Sequence, residues 1–270
     1  TCDEDGRTVS VSVGGISSSA VCGGLPNSIS NQWDIVGLVV SALADSPPAI
    51  NITANMTDAN GNAATQATAS ATKDTNDPSV TIVAPGSVND SNKNSYSLNG
   101  TCTEDGEEVT IVFGGISPVT QPVCGQAPAL SGQWVLTGFD VSGVLDNSAV
   151  ALSATHLDSA GNSAVSNTTI LKDVILPTVA ITSSANILTS NQASYTVSGT
   201  CSAADDGRTV TVSVGGVSPA TQPICGGLPN SISGQWDVTY DVTTAADSLS
   251  LSITANLSDL AGNAATQASI

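Results

Sequence analysis

Short runs in which apolar and polar residues alternate recur along the chain, and Gly, Asn, Asp or Pro stands in nearly every gap between them. Alternation with a period of two is typical of strands that bury one face. The middle of the chain has seven such runs, and we predict strands at Ser79–Val83, Ser95–Cys102, Glu108–Phe113, a short run within 120–124, Gln133–Phe139, Ala149–Thr155 and Ser163–Leu171. Seven short strands in about 100 residues predict an immunoglobulin-like β-sandwich, with Tyr96, Phe113 and Trp134 in its core.

The same pattern occurs three times. Near-identical stretches begin with Thr-Cys at Thr1, Thr101 and Thr200. The shared landmarks are Trp33, Trp134 and Trp236, followed by the Asp-X-X-Gly-Asn loops at 58–62, 158–162 and 259–263. A period of about 100 residues is the size of a whole small domain. We therefore predict an all-β chain of tandem immunoglobulin-like seven-stranded β-sandwiches arranged end to end, with domains at 1–72, 73–171 and 172–270.

The first repeat begins at its Cys2, so we expect it to lack the first two strands that the other repeats carry. A sandwich without these strands would leave an unpaired sheet edge. We expect either a longer continuous chain, of which this sequence is a window, or a neighbouring molecule that supplies the strands.

Acidic residues outnumber basic ones by 23 to 5, which gives a formal net charge of −18. Binding to nucleic acid or to an anionic membrane surface requires clusters of Lys and Arg, so neither partner is expected. No run of 18 apolar residues is present, and we expect no membrane insertion. Divalent cations are the natural partners of such a charge, and acidity that only confers solubility is the alternative.

Six cysteines form one pair in each repeat. Because the pairs recur at a fixed place without a CxxC motif, they predict disulfides rather than zinc sites. The expected bonds are Cys2–Cys22, Cys102–Cys124 and Cys201–Cys225. Each would stabilise its domain by roughly 3 kcal/mol. Disulfides indicate an oxidising location, extracellular or at the cell surface.

Acidic loops are expected to converge where one repeat meets the next. At the first junction these are Asp45, Glu104–Asp105, Asp158 and the linker 73–78, and the second junction repeats the set with Asp146, Asp173, Asp205, Asp206 and Asp259. Carboxylates gathered without His or Cys favour calcium over zinc or copper. The alternative is that these acids only form turns, because Asp-X-X-Gly-Asn also suits a hairpin loop.

The Asp-X-X-Gly-Asn loops, together with the Lys-Asp-X-X-X-Pro linkers at Lys73–Pro78 and Lys172–Pro177, resemble tandem bacterial immunoglobulin-like (BIg) repeats of large secreted adhesins and cell-surface fibres. The resemblance implies an extender whose linkers are stiffened by calcium. By position it implies Asp74, Asp77 and Asp158 as ligands at the first junction, with Asp173 and Asp259 at the second. With Asp105 and Asp206 from the converging loops, these residues are the predicted calcium ligands. Many such repeats lack cysteine, so the disulfides are a departure.

Catalysis is not expected. The one histidine, His156, has Met56 and Leu257 as its counterparts, and no GxSxG motif stands out. Only 3 Trp, 3 Tyr and 2 Phe are present, whereas glycosidase sites are usually lined by aromatic residues. The sequence favours a structural extender of a bacterial adhesin, with calcium and further copies of the repeat as partners. The alternatives are a subunit of a homopolymeric extracellular filament and a glycan- or ligand-binding immunoglobulin-like module.

Overall fold

A computed structural model of the chain describes residues 1–26, 28–229 and 231–270. The chain divides into two compact units. One comprises Thr1–Pro78 with Leu157–Ser163, and the other comprises Ser79–His156 with Ala164–Ile270. The division into three end-to-end domains stays a prediction.

The first repeat contains one four-stranded antiparallel sheet. Its strands are β1 (Thr8–Val13), β2 (Ile16–Val21), β3 (Ile50–Met56) and β4 (Ala67–Ala71), in the order β2-β1-β3-β4. Alternation in β1 places Val9 and Val11 in a hydrophobic cluster with Cys22. Trp33 packs against this cluster and is only partly buried.

The second repeat has two sheets that share one hydrophobic core. Its strands are β5 (Tyr96–Thr101), β6 (Val109–Phe113), β7 (Gln133–Phe139), β8 (Asn147–Leu157) and β9 (Ser163–Lys172); β5 pairs with β7, and the other sheet has the order β6-β8-β9. Tyr96, Phe113 and Trp134 are buried there, which confirms the predicted core. The Trp134 indole donates to the carbonyl oxygen of Thr81 at 3.0 Å, so its buried N–H has a partner.

The third repeat also has two sheets around one core. Its strands are β10 (Val179–Ser184), β11 (Tyr195–Cys201), β12 (Val210–Val214), β13 (Gln235–Tyr240), β14 (Ile253–Leu257) and β15 (Ala268–Ser269), in the orders β10-β11-β13 and β12-β14-β15. Trp236 is buried in this core. The helices of the described chain are two 3-10 turns of three residues, Gln192–Ser194 and Ala203–Asp205, so no helix there is long enough to cross a membrane.

The all-β prediction is confirmed, and the strand predicted at Gln133–Phe139 has these bounds in the structure. Two predicted strands are only partly formed. Within 79–83, Thr81 and Val83 each donate a 2.9 Å backbone hydrogen bond to β5, and within 120–124 the pairing to β6 includes a bond from Val109 to the Pro122 carbonyl. Proline has no N–H to donate, so Pro122 limits this ladder.

Candidate functional site: the two linkers

The first linker begins with an ion pair. Lys73 Nζ donates to Asp45 Oδ1 and to the Leu43 carbonyl oxygen, both at 2.8 Å. The backbone N–H of Ser46 donates to the Lys73 carbonyl oxygen at 2.6 Å. The Lys73 side chain is 17% exposed and that of Asp45 22%, so water screens the pair only in part. These bonds fix the start of the linker to the loop at 43–46.

The Asp45 carboxylate also holds the next residues of the linker. Its Oδ2 accepts hydrogen bonds from Thr75 Oγ1 at 2.9 Å and from Asn76 Nδ2 at 3.1 Å. The Lys73 side chain and then Thr75 hold the pKa of Asp45 below its ordinary value, because they bind its charged form. One carboxylate therefore organises most of the linker between 73 and 76.

The loop at 158–162 meets the linker from the other side. Asp158 Oδ1 accepts the backbone N–H groups of Ala160 at 2.9 Å and Asn162 at 2.8 Å, and Oδ2 accepts Asn162 Nδ2 at 2.7 Å. This is an Asx turn, in which a side chain takes the place of a backbone acceptor. The Asn162 side chain, followed by its backbone N–H, lowers the pKa of Asp158.

Asn162 joins that loop to the linker. Its Nδ2 also donates to the carbonyl oxygens of Asp74 at 3.3 Å and Asn76 at 3.4 Å. Three oxygens, including Asp158 Oδ2, thus surround one amide nitrogen, which carries two hydrogens. The amide supplies the positive pole toward which these oxygens point.

The second linker has the same brace in a more buried form. Lys172 is 2% exposed, and its Nζ donates to Asp146 Oδ1 at 2.8 Å. The backbone N–H of Val174 donates to Asp146 Oδ2 at 3.1 Å. Burial alone would raise the pKa of Asp146, but the hydrogen bonds from Lys172 and Val174 outweigh it and leave the pKa below its ordinary value. Lys172 is therefore paired with a carboxylate inside the protein.

Asn263 takes the place of Asn162 at the second linker. Its Nδ2 donates to Asp259 Oδ2 at 2.6 Å and to the Asp173 carbonyl oxygen at 2.8 Å. Its Oδ1 accepts the backbone N–H of Asp90 at 2.7 Å, and Asn89 Nδ2 donates to the carbonyl oxygen of Ala261 at 3.0 Å. Asn263 is 4% exposed. These bonds tie a turn of the second repeat to the loop of the third.

The predicted calcium ligands lie in two kinds of place. At the linkers, Asp74 Oδ1 accepts the Asn76 N–H at 3.0 Å, Asp173 Oδ1 accepts the Ile175 N–H at 2.9 Å, Asp77 is exposed, and Asp158 and Asp259 are bound by their asparagines. Asp105 and Asp206 instead accept the backbone N–H groups of Gly132 at 2.8 Å and Gly234 at 2.9 Å, within their own repeats.

Within residues 1–26, 28–229 and 231–270, these carboxylates do not form a group of three whose oxygens lie within 4.8 Å of one another. The group that meets this criterion is Cys201, Asp206 and Cys225, and its cysteines form a disulfide, so they offer no thiolate to a metal. The linker oxygens suit calcium in kind, but the amides of Asn162 and Asn263 already engage them. Calcium binding stays a prediction.

The three predicted disulfides are confirmed. Bonds join Cys2 to Cys22, Cys102 to Cys124 and Cys201 to Cys225, which accounts for all six cysteines. His156 is fully buried, and its Nε2 accepts the Glu104 N–H at 3.2 Å while Nδ1 lies 3.1 Å from the Glu108 carbonyl oxygen. Both ring nitrogens are thus occupied by backbone groups.

The sequence interpretation missed the lysines and asparagines of the brace. A signal was present, because two of the three lysines in the chain begin the linkers and an asparagine ends each of the three Asp-X-X-Gly-Asn loops. The carboxylates alone predict that a cation binds from solution. In the structure, lysine ammonium groups and asparagine amides of the chain itself donate to these oxygens.

No family model and no curated protein matches the chain. Solved structures that match the chain include a 1.5-MDa bacterial ice-binding adhesin, at 21% identity and a TM-score of 0.39, over 99% of this chain and 85% of that one. A tetra-tandem repeat from the extending region of a large adhesion protein matches at 20% identity and a TM-score of 0.37, over 99% of this chain and 66% of that one. Fibronectin(III)-like modules of Clostridium thermocellum CbhA match at 20% identity and a TM-score of 0.44, over 71% and 93%.

Proposed function

We propose that the chain is a structural extender segment of a bacterial cell-surface adhesin or fibre, made of disulfide-bonded domains joined by stiff linkers. The observation that carries this proposal is the brace that recurs at both linkers. A lysine at the start of each linker pairs with a carboxylate of the preceding loop, and an asparagine of the following loop binds a linker carbonyl. A linker held on both sides would restrict the angle between successive domains to a narrow range.

Calcium is a further part of the proposal. An ion would use the oxygens of Asp74 and Asp158 at the first linker and those of Asp173 and Asp259 at the second, because calcium takes carboxylate and carbonyl oxygens. It would have to displace the amide of Asn162 or Asn263 from the same oxygens. At a hundredfold excess over its Kd, a bound ion would stabilise the folded chain by about 2.7 kcal/mol.

We also propose an extracellular location and a role without catalysis. The presence of every cysteine in a disulfide supports an oxidising compartment. The position of His156 supports a role without histidine catalysis, because a histidine that acts as general base needs a free ring nitrogen within reach of substrate.

Small-angle scattering and negative-stain images of the whole chain test the proposal. We expect extended single particles with a narrow range of bends, and a broader range for Lys172→Met and Asn263→Ala. Long filaments would favour the homopolymeric alternative, and a compact globule would contradict an extender. Titration calorimetry with calcium, repeated after chelation, tests calcium binding separately. The absence of binding heat would contradict the calcium part of the proposal and would leave the proposed role of the brace unaffected.

A further inference from the structure

An aspartate at the equivalent position of each repeat contacts the disulfide of that repeat. Asp5 Oδ1 lies 3.5 Å from Cys22 Sγ, Asp105 Oδ1 lies 3.5 Å from Cys124 Sγ, and Asp206 Oδ1 lies 3.4 Å from Cys225 Sγ. A disulfide sulfur carries no hydrogen, so these contacts are not hydrogen bonds. A negative charge is therefore held in van der Waals contact with one sulfur of every disulfide.

A backbone N–H and a serine hydroxyl hold each carboxylate in this place. Asp105 Oδ1 accepts the Gly132 N–H at 2.8 Å, and its Oδ2 accepts the Ser131 hydroxyl. These two donors, the Gly132 N–H first, keep the pKa of Asp105 below its ordinary value, so the group is ionised at neutral pH. Asp5 has the same arrangement with Asn31 and Ser30.

The glycine after each second cysteine makes room for the carboxylate. Gly125 has φ +71°, and a Cβ there would lie 2.4 Å from Asp105 Oδ1. Gly23 and Gly226 have φ +68° and +65°, and a Cβ on either would lie within 2.6 Å of an aspartate atom. A larger residue would be strained in this conformation and would also clash with the aspartate. The Cys-Gly pair and the aspartate thus form one packed unit, three times over.

We propose that Asp5, Asp105 and Asp206 are positioning residues that shield the disulfides of the three repeats from reduction by anionic thiols. Reduction begins when a thiolate attacks one sulfur; a new S–S bond forms, the old one breaks, and the electron pair leaves on the other cysteine as a thiolate. A second thiolate then completes the exchange, so the reductant is oxidised to its disulfide and the protein gains two thiols.

The carboxylate opposes attack on either sulfur of the disulfide. Cys124 is 1% exposed, so a thiolate that attacks it must enter a buried site, and there it meets the negative charge of Asp105. A thiolate that attacks Cys102 expels a second negative charge at Cys124, beside the same carboxylate, and a destabilised leaving group departs more slowly. Two unit charges about 4 Å apart in water repel enough to slow such a step roughly fivefold, and partial burial increases the effect.

The test uses two thiols of opposite charge on the full chain. Mercaptoethanesulfonate and cysteamine each reduce the native protein, and mass spectrometry follows the three disulfides separately in one molecule. Both reagents attack through a thiolate, so they differ only in the sulfonate or ammonium group that each carries two carbons from the sulfur. At about 8 Å from the carboxylate this difference of two unit charges corresponds to roughly fivefold in rate in water, and salt reduces it. In Asp105→Asn we therefore expect the rate with mercaptoethanesulfonate, relative to that with cysteamine, to rise about twofold to fivefold at Cys102–Cys124 only. The oxygen of Asn can still accept the Gly132 N–H, and the other two disulfides serve as internal controls.

Asp140→Asn is the matched control, because Asp140 is a loop carboxylate that accepts the Ser142 N–H at 2.9 Å. It removes one charge from the same repeat and should leave the rate ratio unchanged. Equal acceleration by both thiols in Asp105→Asn would mean that the aspartate acts only on the leaving group or the loop and does not repel the anionic thiol, and an equal shift in Asp140→Asn would mean that only net charge matters. Either result would overturn the proposal. Asp206→Asn repeats the test at Cys201–Cys225.

Discussion

The first and third repeats have nearly the same sequence and different structures. Gln32-Trp-Asp-Ile35 and Gln235-Trp-Asp-Val238 differ by one methylene, yet the second lies in strand β13 and the first is irregular. In the third repeat β13 pairs with β11 along six residues, and Trp236 is 1% exposed. Among the described residues of the first repeat, no strand pairs with this segment, and Trp33 is partly exposed. Strand formation here is therefore set by a pairing partner and not by local sequence.

Replacing the two tryptophans should give the largest difference. Trp236→Ala should cost about 3–5 kcal/mol, because it empties a closed core. Trp33→Ala should cost much less, because part of its surface already faces water. Hydrogen exchange with mass spectrometry measures each repeat separately in the intact chain. Equal losses in the two repeats would contradict the comparison.

The loop asparagines should differ by a smaller amount. Asn263→Ala removes bonds to Asp173 and from Asp90 inside a buried site, and should cost about 1–3 kcal/mol. Its counterpart Asn62 is exposed and donates only to Asp58 in the described structure, so Asn62→Ala should cost under about 1 kcal/mol. Thermal unfolding of both variants checks the order, and a larger loss for Asn62→Ala would be the wrong sign.

A grafted partner should make the first repeat resemble the third. Residues 174–199, fused before Thr1, would place copies of β10 and most of β11 where the segment at 32–38 can pair. Amide protection there should rise at least roughly tenfold, and Trp33 fluorescence should shift to the blue as the indole leaves water. Unchanged exchange at 32–38, with the graft itself folded, would show that the segment is irregular for a local reason.

Lowering the pH should destabilise the aspartate loops of the first and third repeats to a similar extent. The pKa values of Asp5 and Asp206 are both lowered, first by the backbone N–H of Asn31 or Gly234 and then by a serine hydroxyl. A lowered pKa stabilises the folded loop above the ordinary value of 3.8, and this stabilisation is lost as pH falls through the lower folded value. Carboxyl-carbon NMR titration should give both midpoints below 3.8, and a midpoint above it for either residue would contradict the bonds described.

The sequence predicted the parts of the molecule that depend on local pattern. Alternation in Val109–Phe113 and the Gln133–Phe139 run located strands, and pairing of Cys102 with Cys124 followed from spacing within a repeat. It did not separate the two uses of aspartate. Asp105 and Asp158 both stand in polar turns, and only the fold shows that one contacts a disulfide while the other lies in the loop whose asparagine binds a linker.

The pairing of Lys172 with Asp146 could not be predicted from the sequence for a related reason. Asp146 lies 26 residues away, and their contact depends on the path of β8 and β9. A buried ammonium is expensive unless paired, so its location is decided by the whole fold.

The short reach of each disulfide also bears on how the chain is synthesised. The bonded cysteines are 20, 22 and 24 residues apart, whereas the nearest cysteine of another repeat is much farther along the chain. Closing a loop of about 20 residues instead of about 80 is favoured by about 1.2 kcal/mol, or roughly eightfold in pairing probability. Oxidation of an emerging chain would therefore select the correct partner before the next, nearly identical repeat has emerged. Three similar domains in a row would otherwise invite crossed pairing.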